Sequence, residues 1–105
     1  MRQLRALAAH ENVVCKLSGL ITEAEWSTWT PALLRPYIEA AAECFSPARL
    51  MIGSDWPVCT VAGTYAETMA LVTDVVADWS AAERDAVLGG TAARVWNRGW
   101  GQVLP

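Results

Sequence analysis

Leu50-Met51-Ile52-Gly53-Ser54-Asp55-Trp56-Pro57 decides how the rest of this chain is read. An apolar run ends in Gly53-Ser54, and a carboxylate follows where a strand should stop. Trp56-Pro57 closes the stretch, because proline donates no hydrogen bond to a sheet ladder and pushes the preceding residue away from helix. A short apolar run bounded by turn signals, lying between helical patterns, predicts a buried parallel strand. Asp55 then stands at the carboxyl end of that strand, where α/β folds place their chemistry.

On either side the pattern alternates between helix and strand. Pro31 to Phe45 carries an apolar stripe at Leu34, Ile38, Ala41 and Phe45, with Arg35, Glu39 and Glu43 repeating on the wet face. Thr30 is placed to cap this helix and Pro31 suits its first position, although Pro36 could displace the start. Before it, Thr22 and Glu25 have capping-box spacing on a connection that bears Trp26 and Trp29. Val13 to Ser18, stopped by Gly19, predicts another strand, and Met1 to Ala9 predicts a helix with no cap before its first turn. Downstream, a loop from Val58 to Gly63 leads to the clearest helical pattern, with Tyr65, Met69, Val72, Val76 and Trp79 as its core stripe. Ser80 and Glu83 form a further capping box, opening a short helix that Gly89-Gly90 should end. Thr91 can then cap a last turn or two, Ala92 to Trp96. The strands fall at about 12–18 and 48–54, the closing helices at about 64–96, and 97–105 is a tail.

Strands separated by helical crossovers are the βαβ signature of a parallel sheet. The helices available do not cover two parallel strands on both faces. The sheet is therefore expected to continue, either in another chain or in a larger α/β protein of which this is the C-terminal piece. The uncapped first helix favours the second.

Composition narrows the function classes. At 105 residues there is room for one domain, and 53% of them are hydrophobic against 18% charged. Ordinary domains are ~45–50% apolar, so a short chain this apolar is expected to meet more protein. A net charge of −3 and a lone lysine, Lys16, argue against nucleic acid. No apolar run approaches the ~18 residues of a membrane span, and the N-terminus lacks a signal-peptide core. Cys15, Cys44 and Cys59 have no metal-ligand spacing and read as free thiols in a reducing compartment, the cytoplasm.

Asn12–Leu20 (NVVCKLSGL), Phe45–Thr60 (FSPARLMIGSDWPVCT) and Leu88–Trp96 (LGGTAARVW) together resemble the C-terminal portion of the amidohydrolase superfamily. The branch is the amidohydrolase-2 type, which includes sugar-lactone hydrolases such as L-fuconolactonase. The resemblance implies a (β/α)8 TIM barrel of ~250 residues, of which this chain holds about the last two βα units and is incomplete alone. It also implies that Asp55, ending the eighth strand, is a metal ligand and the general base that activates the hydrolytic water. The family's other ligands, a His-x-His pair among them, come from earlier strands and have no match here. His10, the one histidine, lies at the amino-terminal rim and reads as surface. The implied cofactor is a divalent metal, zinc before others, although the branch also contains members that work without a tightly bound metal.

Each candidate residue has a plainer reading. Asp55 could simply cap the following loop; a carboxylate there can also hold a metal-bound water and accept its proton. Lys16 could steady a substrate carboxylate or pair with Asp55, or it could snorkel to water from the strand end. Trp56 could cover a sugar-ring face or merely pack. Trp26 and Trp29 sit on a βα connection, the side of a barrel that contacts substrate, though such residues more often pack their loop. Ser54 more simply finishes the strand, and Cys59 has no nearby histidine to activate it. The expected function is hydrolysis of a sugar lactone or related cyclic ester or amide by activated water, with the isolated chain inactive. The competing expectation is a non-catalytic fragment or βα interaction module that folds by docking to a missing N-terminal barrel half or to itself.

Overall fold

A computed structural model of the chain describes residues 2–96. Its two strands, β1 (Cys15–Leu17) and β2 (Leu50–Ile52), run parallel, with Cys15 opposite Leu50, Lys16 opposite Met51 and Leu17 opposite Ile52. The Gly53 N–H donates to the Leu17 carbonyl at 3.0 Å, carrying the ladder one step beyond β2. Both strands are shorter than the expected 12–18 and 48–54. The Val13 N–H bonds the His10 carbonyl in a turn, and Pro47–Arg49 winds as a 3-10 turn. The Arg49 guanidinium donates to the carbonyls of His10 and Val13 at 3.0 and 3.2 Å, tying the entrances of the two strands together.

Six helices accompany the strands among the described residues: α1 (Arg2–Ala8) before β1, α2 (Leu20–Glu23) and α3 (Pro31–Phe45) in the crossover, then α4 (Tyr65–Val75), α5 (Ala81–Asp85) and α6 (Thr91–Trp96). Side chains alternate along a strand, so one face of the sheet carries Cys15, Leu17, Leu50 and Ile52. These join a core of Ile21, Ile38, Phe45, Val72, Val76 and Val87 beneath the helices. Lys16, Ser18, Met51 and Gly53 share the opposite face. A Cβ on Gly53 would stand 3.0 Å from the Ser18 Cβ and would run into the Lys16 stem, so this close approach needs glycine.

The crossover helix follows its sequence pattern. Leu34, Ile38, Ala41 and Phe45 are its buried residues, and the Thr30 hydroxyl accepts the Leu33 N–H at 3.2 Å. Pro36 lies inside the helix without displacing its start. Arg35 and Glu39 make the expected pair at 2.6 Å on the exposed side.

Elsewhere the packing departs from the pattern. On α4 the buried residues are Thr68, Leu71, Val72 and Val75, so of the expected Tyr65–Met69–Val72–Val76–Trp79 stripe Val72 and Val76 are buried and Trp79 packs against the core, whereas Tyr65 is 53% exposed and Met69 only half-buried. The helix is rotated because it lies against α3 on one side and under the loop after β2 on the other. Val76 is still buried, but as the residue that caps α4, and Trp79 lies beyond it. Ser80 and Glu83 do form a reciprocal capping box. Gly89-Gly90, however, do not end that helix. They lie in a π-helical segment, Ala86–Gly90, that carries it into α6. Fully buried Val87 and nearly buried Thr91 hold this segment against β2 and the 47–49 turn, and that burial outweighs the poor helix propensity of glycine. Thr91 is consequently not a cap: its hydroxyl donates to the Pro47 carbonyl at 3.0 Å. The expected tail at 97–105 lies outside the described residues. No helix among them is long and apolar enough to cross a membrane.

Candidate active site

Asp55 stands three residues past the end of β2, in the left-handed backbone region at φ 56°. Its carbonyl accepts the Cys59 N–H at 2.8 Å, so the turn after the strand is closed across it. Ser54 finishes the strand as expected, its hydroxyl accepting the Trp56 N–H at 3.1 Å. The carboxylate is half-buried, and Oδ2 accepts a hydrogen bond from the Thr22 hydroxyl at 2.9 Å.

That contact depends on how β1 ends. Gly19 adopts φ 73°, which lets α2 begin at Leu20, immediately after the strand. A Cβ there would lie 3.7 Å from Asp55 Oδ2, so the αL turn rides directly beside the carboxylate. Thr22 is thereby inside α2 and does not cap a helix with Glu25; its hydroxyl is spent on Asp55. Ile21 is 1% exposed and pins the short helix to the core. Sequence reasoning missed Thr22 as a site residue, although a glycine directly after a strand was the available sign that the next turn starts early.

The remaining candidates are spread around this point. Trp26 is exposed, and its indole N–H donates to the Thr22 carbonyl at 2.7 Å. Trp29 is half-buried and donates to the Ala62 carbonyl at 2.8 Å, which fastens the βα connection to the loop after β2. Trp56 is 63% exposed beside Asp55. Lys16 is exposed on the sheet face opposite Leu17 and Leu50, its stem over Gly53, and it makes no ion pair with Asp55 among the described residues. His10 is exposed, and Cys59 is fully buried. A mainly apolar cavity of about 550 Å³ opens next to this region, between Ser18–Gly19, Trp29 and the α3 residues Leu33 and Tyr37. Cys15, Cys44 and Cys59 are free thiols; burial pushes the Cys15 thiol above its ordinary pKa, and Cys44 adds to the rise.

The described residues contain no group of three or more His, Cys, Asp or Glu able to hold a metal ion. One carboxylate does not make a zinc site, because zinc takes at least three protein ligands.

The family described as Amidohydrolase matches residues 1–98. The chain belongs to that family. L-Fucono-1,5-lactonase of Burkholderia multivorans is 52% identical over 98 residues, spanning 89% of this chain and 33% of that protein. The L-fucono-1,5-lactonase of Burkholderia ambifaria is also 52% identical, over 63 residues that make up 58% of this chain and 21% of its own length. A crystal structure of a Burkholderia multivorans amidohydrolase with bound zinc superposes with a TM-score of 0.83 at 46% identity, covering 96% of this chain and 35% of that one. This amidohydrolase chain thus spans about a third of the length of the relatives it matches.

Proposed function

We propose that this chain supplies the last βα units of a (β/α)8 barrel that hydrolyses a sugar lactone, with Asp55 as the base. The observation that carries the reading is the position of Asp55: a half-buried carboxylate on a hydrogen-bonded turn just past the carboxyl end of a parallel strand. Family membership and the 52% identity to two L-fucono-1,5-lactonases support the substrate class.

In this reading Asp55 accepts a proton from water as the water oxygen attacks the lactone carbonyl. The ring C–O bond then breaks, the proton passes to the leaving alkoxide, and one lactone plus one water becomes one hydroxy acid. Lys16 lies on the sheet face that would line the barrel interior, where its ammonium can meet the carboxylate that forms. Trp56 and Trp26 offer exposed ring faces to the sugar, while Trp29 holds their loop in place. Asp55 would also be the ligand this chain contributes to a divalent metal, zinc before others, with the remaining ligands supplied by earlier strands. A bound metal would polarise the carbonyl and acidify water. The three free thiols suit a cytoplasmic setting.

The test is a chimaera in which residues 1–98 replace the matched third of the B. multivorans lactonase. Wild-type chimaera should open L-fucono-1,5-lactone, and Asp55→Asn should lower kcat by about a hundredfold or more with the thermal midpoint unchanged. Turnover retained in Asp55→Asn would remove Asp55 from the chemistry.

A further inference from the structure

We propose that Thr22 is a positioning residue for the Asp55 carboxylate, a role that rests on Asp55 being the base. A carboxylate has two oxygens and free rotation about its last bond, so a base that must face water from one direction gains from having the other oxygen held. The Thr22 hydroxyl does this by donating to Oδ2 at 2.9 Å across 33 residues of sequence. Oδ1 makes no hydrogen bond among the described residues and is the oxygen left to take a proton or a ligand.

Thr22 is itself braced. Its carbonyl accepts the Trp26 indole N–H at 2.7 Å, and the Glu23 N–H one residue on bonds back to Gly19 at 3.1 Å. Ile21, its other neighbour, is fully packed in the core. The order of support therefore runs from Trp26 to Thr22 to Asp55. A simple staple between loop and strand would need the hydroxyl only for stability. A positioning role makes a different demand, because it acts on turnover and on the electronic state of the carboxylate.

The two are separated with Thr22→Val, which keeps the shape and removes the donor, and Thr22→Ser, which restores the donor. In the chimaera, Thr22→Val should lower kcat about tenfold, as outer partners of site carboxylates do, and Thr22→Ser should return it to the wild-type value. KM should stay within about twofold, since substrate binding is not what the bond supports. The 13C carboxyl resonance of Asp55, assigned by its loss in Asp55→Asn, should move in Thr22→Val and return in Thr22→Ser. Unchanged kcat and resonance in Thr22→Val would overturn the role. So would a loss that Thr22→Ser fails to repair, or one that follows the thermal midpoint instead of the resonance. If Asp55→Asn keeps turnover while the resonance still responds to Thr22, the hydrolytic reading fails and the contact stands. If Asp55→Asn is inactive and Thr22→Val is wild-type in both readouts, Thr22 alone is refuted.

Discussion

At the residue scale the site is made by backbone conformation before side-chain chemistry. Gly19 and Asp55 both take left-handed φ values, 73° and 56°, and the two turns bring β1 and β2 to the same point. Glycine adopts this conformation freely, whereas an aspartate pays a modest cost that the surrounding hydrogen bonds must outweigh. Asp55 was legible as a strand-terminal carboxylate because its neighbours are punctuation: Gly53-Ser54 before it, Trp56-Pro57 after it. Thr22 was not, since its partner lies 33 residues away and local spacing offered a capping box instead. Cys15 makes a separate prediction. Its partly buried thiol has a folded pKa above the unfolded value, so its contribution to stability is complete below the ordinary thiol pKa, about 8.5, and is lost as pH rises through the folded value. In the chimaera the urea midpoint should therefore hold steady from neutral pH and fall in the alkaline range, and Cys15→Ala should flatten that fall. A decline of equal depth in Cys15→Ala would point to other groups.

At the element scale, caps and boundaries followed local rules where local bonds decide them. Thr64 and Ser80 each accept the N–H of a glutamate three residues on, and Glu67 and Glu83 reach back to close both boxes. In the chimaera, Ser80→Ala and Thr64→Ala should each cost about 1 kcal/mol in denaturant unfolding, close to additively because they start different helices. A loss near zero in both would mean that packing alone holds α4 and α5. The failures share a different cause. Periodicity assigned α4 a face but could not say which neighbours would cover it, so Leu71 and Val75 were buried in place of Tyr65 and Met69. Gly89-Gly90 looked like a stop because glycine is a poor helix former. Val87 and Thr91, packed against β2 and the Pro47 turn, hold the helix through them.

At the scale of the whole molecule, the parallel pair has two open edges among the described residues, and on the sheet face shared by Lys16 and Met51 the lysine is exposed while Met51 is buried. Leu33 and Tyr37 on α3 are 60% and 65% exposed beside the apolar cavity, and elsewhere Leu7 on α1 is 54% exposed. Unpaired strand edges and apolar surface of this kind recruit further chain. Expressed alone, the 105-residue chain should self-associate in sedimentation velocity and show no lactone hydrolysis. A monodisperse monomer with a cooperative melt would count against the barrel reading. The sequence by itself determined the βα order, the buried stripe of α3, the caps at Thr30 and Ser80 and the strand-end carboxylate, because each follows from hydrogen bonds and periodicity within a few residues. Only the tertiary structure decided which face of α4 is buried, that the last helix runs through its glycines, and that Thr22 grips Asp55. Those depend on contacts between segments tens of residues apart, where burial and long-range hydrogen bonds outweigh local preference.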